Sequence, residues 1–255
     1  MMKTKRTLTA VGRFLLPLIF WAAVWWLISW RIGKPLLLPS PGRVMKTLGE
    51  LLQTRVFYQV TAKSIRNVVC GILYAILAGV LLAFLTYRVR LIRDLLFPLM
   101  TVVKATPVAS FIVLAIIWVG NLRVPTLITV LIVLPVVWSN LDEGLRKQDE
   151  TLLEVARVYR FSYWRRLRVL TLPSLRSYFF SALRTSLGLA WKAGIAAEII
   201  ANVNVGEQIK EANLYFQVPE LYAWTLTVIL LSLVLELVVM GLLRKFTGEE
   251  KEEKG

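Results

Sequence analysis

The sequence of 255 residues contains no histidine and one cysteine, Cys70. Without histidine, a His-based metal site, a His general base and a Ser-His-Asp triad are all excluded. One cysteine cannot form a disulfide within the chain. The phosphate-binding loop G-x-x-x-x-G-K-[ST] is also absent. These absences agree with a further expectation, that the chain contains no catalytic residue, no metal site and no cofactor of its own.

Charged residues are scarce. They make up 18% of the sequence, against about 25% in a soluble domain, and they lie in bands between long apolar runs. Hydrophobic residues make up 57%, and the mean hydropathy is +0.64. These values exclude an ordinary soluble globular protein, a disordered chain and a fibrous one. At roughly 20 residues per crossing, the length suits about six transmembrane helices.

The net charge is +15, which in principle indicates either nucleic acid or an anionic membrane surface as a partner. A nucleic-acid-binding module would not explain the apolar runs. In a membrane protein, such an excess of Lys and Arg is typical of loops that face anionic lipid. We therefore expect membrane lipid, and not nucleic acid, as the partner of these charges.

Six apolar runs predict an all-α membrane protein made of a single domain over residues 1–255. The first run follows a basic N-terminus and resembles a signal peptide. Its four tryptophans and the lack of a small-residue cleavage site favour a retained helix instead. The predicted spans are Phe14–Trp30, Val68–Tyr87, Leu95–Val119 (which contains Pro98 and Pro107), Val124–Trp138, Tyr178–Ala201 and Leu221–Leu243.

The distribution of Lys and Arg predicts that both termini are cytoplasmic. With that orientation, the inner segments carry about twice as many basic residues as the outer ones. The basic first outer loop is an exception that this argument does not explain. In that loop, Ser40 is a predicted N-cap with Pro41 at the first helical position. The helix that follows is either amphipathic and at the outer surface, or a solvent-facing linker.

A long hydrophilic segment, 141–173, interrupts the short connections on the predicted inner side. It reads as two short helices, the first starting at Asp149–Thr151 and the second capped by Ser162, before Pro173 opens the fifth span. Loops of this length usually have a function or a structure of their own. We interpret the segment as a rigid protrusion in which the small Ala156 lets another surface approach. A basic helix pair resting on anionic lipid is the alternative.

The same segment resembles the EAA motif of permease subunits from binding-protein-dependent ABC importers. Glu154-Val155-Ala156 matches its beginning, and Leu170-Thr171-Leu172-Pro173 matches its end with the spacing kept. Arg160 stands where the family usually has glycine. Because a glycine there permits a positive φ, the arginine predicts a turn that is displaced or built differently. By resemblance, the residues that couple to the ATPase are Glu154, Val155, Ala156, Arg157 and Arg160.

The resemblance covers about 200 residues and is closest to the nitrate/sulfonate/taurine-type branch. Leu38-Pro39-Ser40-Pro41, the run from Leu114 to Gly120, Gly188 to Trp191, and Ala197-Glu198 carry it. It implies a MetI-like permease fold in the cell membrane of a prokaryote. It also implies a permease homodimer, a separate pair of ATPase subunits that bind ATP-Mg, and an extracytoplasmic solute-binding protein.

Five ionisable residues fall within predicted spans, where such residues are costly and mark functional sites by default. One interpretation is a partly basic path for a small anion such as a sulfonate, taurine or nitrate. The other is pairing inside the protein, for example of Lys192 or Lys104 with Glu236. The five candidates for the translocation pathway are Lys104, Arg184, Lys192, Glu198 and Glu236.

Other functions remain as alternatives. A carrier of this type for a pyrimidine-type vitamin precursor would have the same appearance. A secondary transporter that needs no ATPase predicts inverted repeats, of which we find none that is obvious. A membrane-embedded enzyme would need a polar cluster at a membrane face, and no paired carboxylates lie at a span end.

Overall fold

Every regular element in the described part of the chain is helical. The computed structural model describes the backbone of residues 2–247 and the side chains of residues 16–241. The basic residues near both ends, on which the orientation prediction partly depends, lie outside the described side chains. The helices are α1 (Met2–Ile32), α2 (Pro41–Leu51), α3 (Arg55–Arg88), α4 (Arg90–Ala105), α5 (Val108–Val119), α6 (Val124–Arg146), α7 (Glu150–Val158), α8 (Tyr163–Arg166), a π-helical segment (Leu167–Thr171), α9 (Leu172–Ala201), α10 (Asn204–Leu214) and α11 (Val218–Thr247).

Three described helices are long and apolar enough to cross a membrane: α3, α6 and the Val218–Gly241 part of α11. The bent pair α4 and α5 makes a fourth if it forms one broken span, and Leu16–Ile32 is apolar but shorter. α9, which contains three of the ionisable candidates, is not in this set. The all-helical membrane fold is confirmed, whereas the count of six spans is not.

The third predicted span, Leu95–Val119, is wrong as a continuous helix. α4 and α5 meet at a bend of 108°. Thr106 (ψ 131°) and Pro107 (ψ 120°) both have extended backbone conformations. For Thr106 the cause is Pro107, because a proline disfavours the α conformation in the residue before it. Pro98 lies inside α4 without ending it. Of the two prolines in the predicted span, only Pro107 lies at the break.

The larger of two compact units contains Val60–Glu207 and the described residues from Ile229 onward. Its helices approach closely at two glycines of α3. A Cβ atom on Gly71 would lie 2.6 Å from Thr129 Cβ, and one on Gly79 would lie 2.8 Å from Val137 Cγ1. Small residues that let backbones approach are typical of membrane helices. One buried cluster of α5, α6 and α9 includes Ile112, Ala115, Val124, Ile128, Ala193 and Ala197.

The smaller unit contains the described chain up to Gln59 together with Gln208–Val228. α2 begins at Pro41 after Ser40, as predicted, but the Ser40 side chain makes no capping hydrogen bond. The Ser40 carbonyl accepts a backbone hydrogen bond from Val44 at 3.1 Å instead. Val44 and Leu48 form the buried side of this amphipathic helix.

Candidate functional site

The start of α7 follows directly from its capping residues. Asp149 is the N-cap and accepts a hydrogen bond from the Thr151 backbone N–H at 2.8 Å. Glu150 stands in the first turn, where its charge is favourable beside the positive end of the helix dipole. The prediction that this helix begins at Asp149–Thr151 is confirmed.

The turn after α7 corrects the expectation for Arg160. Arg160 itself has a φ of +49°, so the turn is not displaced. The Phe161 N–H donates to the Ala156 carbonyl at 2.9 Å and the Arg160 N–H donates to that of Arg157 at 3.0 Å. This pair of bonds is the Schellman motif, which satisfies the last carbonyls of a helix. A left-handed conformation costs a non-glycine residue roughly 1–2 kcal/mol, and these bonds offset that cost.

A second helical stretch returns the chain to α9. The Ser162 hydroxyl accepts from the Arg165 N–H at 3.4 Å, which confirms Ser162 as the N-cap of α8. α8, the π-helical segment and α9 follow one another without a break, and Pro173 lies in the first turn of α9. The match to the end of the EAA motif therefore coincides with the π-helical segment and the first residues of the long helix.

The burial of Ala156 differs from the expectation that this small residue lets another surface approach. Ala156 is 3% exposed, so its side chain faces its own chain and leaves no gap for another surface to enter. The exposed side carries Glu154 and Arg157. It also carries a stripe of apolar side chains, Leu152, Val155, Val158 and Tyr159, which are 50%, 44%, 78% and 73% exposed.

An ionic cluster fixes the base of this segment. Asp142 Oδ2 accepts from Arg93 Nε at 3.3 Å and from Arg146 Nε at 3.0 Å. The cluster connects α4 to the end of α6 immediately before α7. Asp142 and Arg146 are four residues apart on one helix, so this ion pair could have been predicted from the sequence. Arg93, 49 positions away, could not.

The most buried ionisable residue described is Glu198, in the last turn of α9. Its side chain is fully buried. Ser64 Oγ donates to Glu198 Oε2 at 2.5 Å, and Asn204 Nδ2 donates to Oε1 at 2.9 Å. The Gly206 backbone N–H and the Asn67 side chain are further hydrogen-bond partners. The Glu198 carboxyl group thus lies at the N-terminus of α10, where it satisfies donors that the helix itself leaves unpaired.

The chain around this carboxyl group folds back within three residues. Asn202 and Asn204 have φ values of 58° and 53°, a left-handed conformation that asparagine tolerates better than most residues. Ser64 Oγ, besides donating to Glu198, accepts from the Val205 N–H at 3.3 Å. Glu198 and Ser64 together therefore hold α3, α9 and the start of α10.

The other four ionisable candidates are exposed, unlike the buried Glu198. Lys104 Nζ donates to Ser139 Oγ at 3.2 Å, and Lys104, Arg184, Lys192 and Glu236 are all exposed. No salt bridge among the side chains that the structure describes involves any of the five. The expected pairing of Lys192 or Lys104 with Glu236 is therefore not formed within the described chain.

A chain of apolar helices with a capped helix-turn-helix between two of them defines an integral membrane protein. The chain belongs to the family described as "Binding-protein-dependent transport system inner membrane component", whose model matches residues 75–247. Proteins of this family are the membrane permease components of ABC transporters and are not themselves catalytic.

The chain is similar to transport permeases with different named solutes. It is 24% identical over 233 residues to the taurine transport system permease protein of Escherichia coli, covering 88% of this chain and 84% of the relative. It is 27% identical over 227 residues to the riboflavin transport system permease protein of Chloroflexus aurantiacus (86% and 84%). It is 26% identical over 213 residues to the putative aliphatic sulfonates transport permease protein of Bacillus subtilis (82% and 76%).

Proposed function

We propose that this chain forms the translocation pathway of an ABC importer and that the 141–173 segment couples it to a separate ATPase. The exposed apolar stripe on α7 carries this proposal. Exposed aliphatic and aromatic side chains beside polar residues are typical of a protein interaction surface. The capped ends of α7, its Schellman turn and the Asp142 cluster make the segment rigid enough to transmit a displacement.

The complete assembly in this proposal contains two permease chains, two ATPase subunits and one extracytoplasmic solute-binding protein. ATP-Mg binds to the ATPase subunits. ATP-driven closure of the ATPases moves the 141–173 segments, and the helices alternate between outward and inward openings. The 141–173 segment and both termini are cytoplasmic in this arrangement.

Glu154→Arg tests the coupling role. Glu154 is exposed, so reversal of its charge leaves the fold intact. The new positive charge would be mispaired with the ATPase residues that Glu154 contacts. We expect the variant to lose at least 90% of the ATPase that copurifies with the tagged wild-type chain, because a mispaired charge at an interface costs several kcal/mol. The measurement is a pull-down quantified by mass spectrometry.

Glu211→Arg is the matched control, since it makes the same charge reversal at an exposed helical position of α10. It should copurify the ATPase at the wild-type level. If the wild-type chain brings down no P-loop ATPase, the coupling role is wrong and a secondary transporter becomes the better interpretation.

The exposed charges support a pair of permease chains around one path. A charged side chain within a membrane rarely faces lipid and almost always faces protein or a water-filled cavity. Lys104, Arg184, Lys192 and Glu236 are exposed on the single chain. A second copy that encloses an aqueous path with this chain would give these side chains the surroundings they require.

We further propose that the solute is a small anion such as an aliphatic sulfonate, taurine or nitrate. Three of the four exposed candidates, Lys104, Arg184 and Lys192, are basic. The names of the taurine and sulfonate permeases agree with an anion. The riboflavin permease supports the alternative of a vitamin-type solute carried by the same architecture.

Lys192→Ala tests whether this residue contacts an anionic solute. A hydrogen bond to a charged group contributes about 1.5–3 kcal/mol, so we expect uptake of a sulfonate by the reconstituted importer to fall about tenfold. Lys192→Arg retains the charge and should retain most of the uptake. Assembly with the ATPase should be unchanged. Unchanged sulfonate uptake with reduced assembly would instead assign Lys192 to packing between chains.

A further inference from the structure

A large crevice opens where α3 ends, next to α8 and the π-helical segment. Its volume is about 790 Å³, which lies within the roughly 300–1,000 Å³ of typical small-molecule pockets. The proposed coupling role uses the exposed side of α7 and assigns nothing to this crevice.

The walls of the crevice divide into an apolar part and a basic part. Leu81 and Leu85 lie one helical turn apart on α3 and are 71% and 44% exposed. Arg88 follows at the end of the same helix, and Arg166 enters from α8. Among the described residues, the lining of the crevice includes these two arginines and no Asp or Glu.

Aromatic side chains stand between the two parts. Tyr163 and Trp164 line the crevice and are 56% and 75% exposed. The guanidinium carbon of Arg88 lies 5.3 Å from the centre of the Tyr163 ring, within the range of a cation–π interaction. That contact holds Arg88 beside the crevice. Tyr and Trp are enriched where a protein meets the boundary between hydrocarbon and headgroups.

The position of the crevice along α3 matches the structure of a lipid. α3 is long and apolar enough to span a membrane, and it ends at Arg88. The apolar run Val68–Tyr87 ends directly before Arg88, so in a membrane-spanning α3 the last apolar turns would lie at acyl-chain depth and Arg88 at headgroup depth. An acyl chain along Leu81 and Leu85 would bring its phosphate to Arg88 and Arg166.

We propose that this crevice binds an anionic phospholipid. The two arginines contact the phosphate, Tyr163 and Trp164 lie at the glycerol level, and the leucines of α3 contact an acyl chain. Because Tyr163 and Trp164 begin the helical stretch that leads into α9, the bound lipid would brace one side of the 141–173 segment. This inference concerns a site separate from the proposed contact with the ATPase.

The test uses the full-length chain, purified in detergent, delipidated and titrated with phosphatidylglycerol. Native mass spectrometry measures the fraction that retains one lipid. Because each basic residue near an anionic surface strengthens the binding of anionic lipid, Arg88→Gln with Arg166→Gln should weaken retention at least tenfold. Phosphatidylcholine with the same acyl chains should bind the wild-type chain more weakly.

Arg90→Gln with Arg168→Gln is the matched control, because each position is two residues from a lining arginine and neither lines the crevice. It removes the same charge and should bind phosphatidylglycerol like the wild type. Arg88→Lys with Arg166→Lys should retain most of the binding, which separates loss of charge from misfolding. Inorganic phosphate, added at the same concentration as phosphatidylglycerol, should not displace the bound lipid.

Four results would overturn the proposal. If both glutamine double variants bind phosphatidylglycerol as well as the wild type does, the two arginines do not belong to the site. If both variants lose binding to the same extent, the effect is one of general charge. Displacement of the lipid by inorganic phosphate would make the site one for free phosphate. If Arg88→Gln with Arg166→Gln loses the copurifying ATPase but retains the lipid, the crevice belongs to the interface with the ATPase. The Glu154→Arg test of coupling is unaffected by that result.

Discussion

Gly206→Ala is expected to prevent stable folding of the larger unit. A Cβ atom at Gly206 would lie 2.1 Å from the carbonyl carbon of Glu198 and 2.2 Å from the amide nitrogen of Ile199. These are backbone atoms of α9, so no side chain can rotate away to make room. Overpacking costs about 1–3 kcal/mol in an ordinary core and occasionally more. We expect at least about 3 kcal/mol here, because α10 must also move off the Glu198 carboxyl group.

The measurement is the free energy of unfolding of the purified chain in mixed detergent micelles, with the yield of folded protein as a second readout. Gly188→Ala is the control within α9, since no described heavy atom beyond its chain neighbours and the adjacent backbone of its own helix lies within 4 Å of its added Cβ. Alanine is favoured over glycine in a helix by about 0.5–1 kcal/mol, so this variant should be as stable as the wild type or slightly more so. Wild-type stability of Gly206→Ala would contradict the close packing of α9 and α10.

Glu198→Ala should also be strongly destabilising. It removes the acceptor for Ser64 Oγ, for Asn204 Nδ2 and for the Gly206 N–H in a region without solvent. Each buried donor left unsatisfied costs about 1–3 kcal/mol, and the missing side chain leaves a cavity whose lining loses contacts. We expect a total loss of about 4 kcal/mol in the free energy of unfolding.

Glu198→Gln refines this prediction, because it keeps the size of the side chain but replaces an acceptor with a donor. It should lose about 1–3 kcal/mol. Combining it with Ser64→Ala gives a double-mutant cycle in which the two losses should not add, since both residues belong to one hydrogen-bond network. Additive losses would mean that the Ser64–Glu198 bond contributes nothing. Glu154→Ala, at an exposed carboxylate, is the control and should change stability by less than about 0.5 kcal/mol.

The 141–173 segment shows how far local sequence rules reach. Its start at Asp149 and the cap at Ser162 depend on side chains that bond to the next few backbone groups, so the sequence predicts them correctly. Arg160 shows where those rules fail. Its low intrinsic preference for a positive φ predicted a turn that is displaced or built differently, but the two backbone bonds of the Schellman motif outweigh that preference and the turn stays at Arg160.

The surroundings of Ala156 and Glu198 could not be predicted from the sequence. Ala156 was expected to let another surface approach and Glu198 to face a path, and both side chains are buried within the single chain. Helical spacing puts Glu198 near the face of Arg184, but the surroundings of α9 change along its length. Glu198 meets Ser64 from 134 positions away, and no local pattern encodes that contact.

The sequence alone determined the all-helical membrane fold, the resemblance to transport permeases and the two short helices of the 141–173 segment. The length of an apolar run, a capping side chain and a spaced motif are local features of the chain, so they can be recognised without a structure. Only the tertiary structure decided which charges are buried, that Gly206 must lack a side chain, and that α4 and α5 reverse at Pro107. Those outcomes depend on which distant backbones come within van der Waals contact, and that is a property of packing in three dimensions.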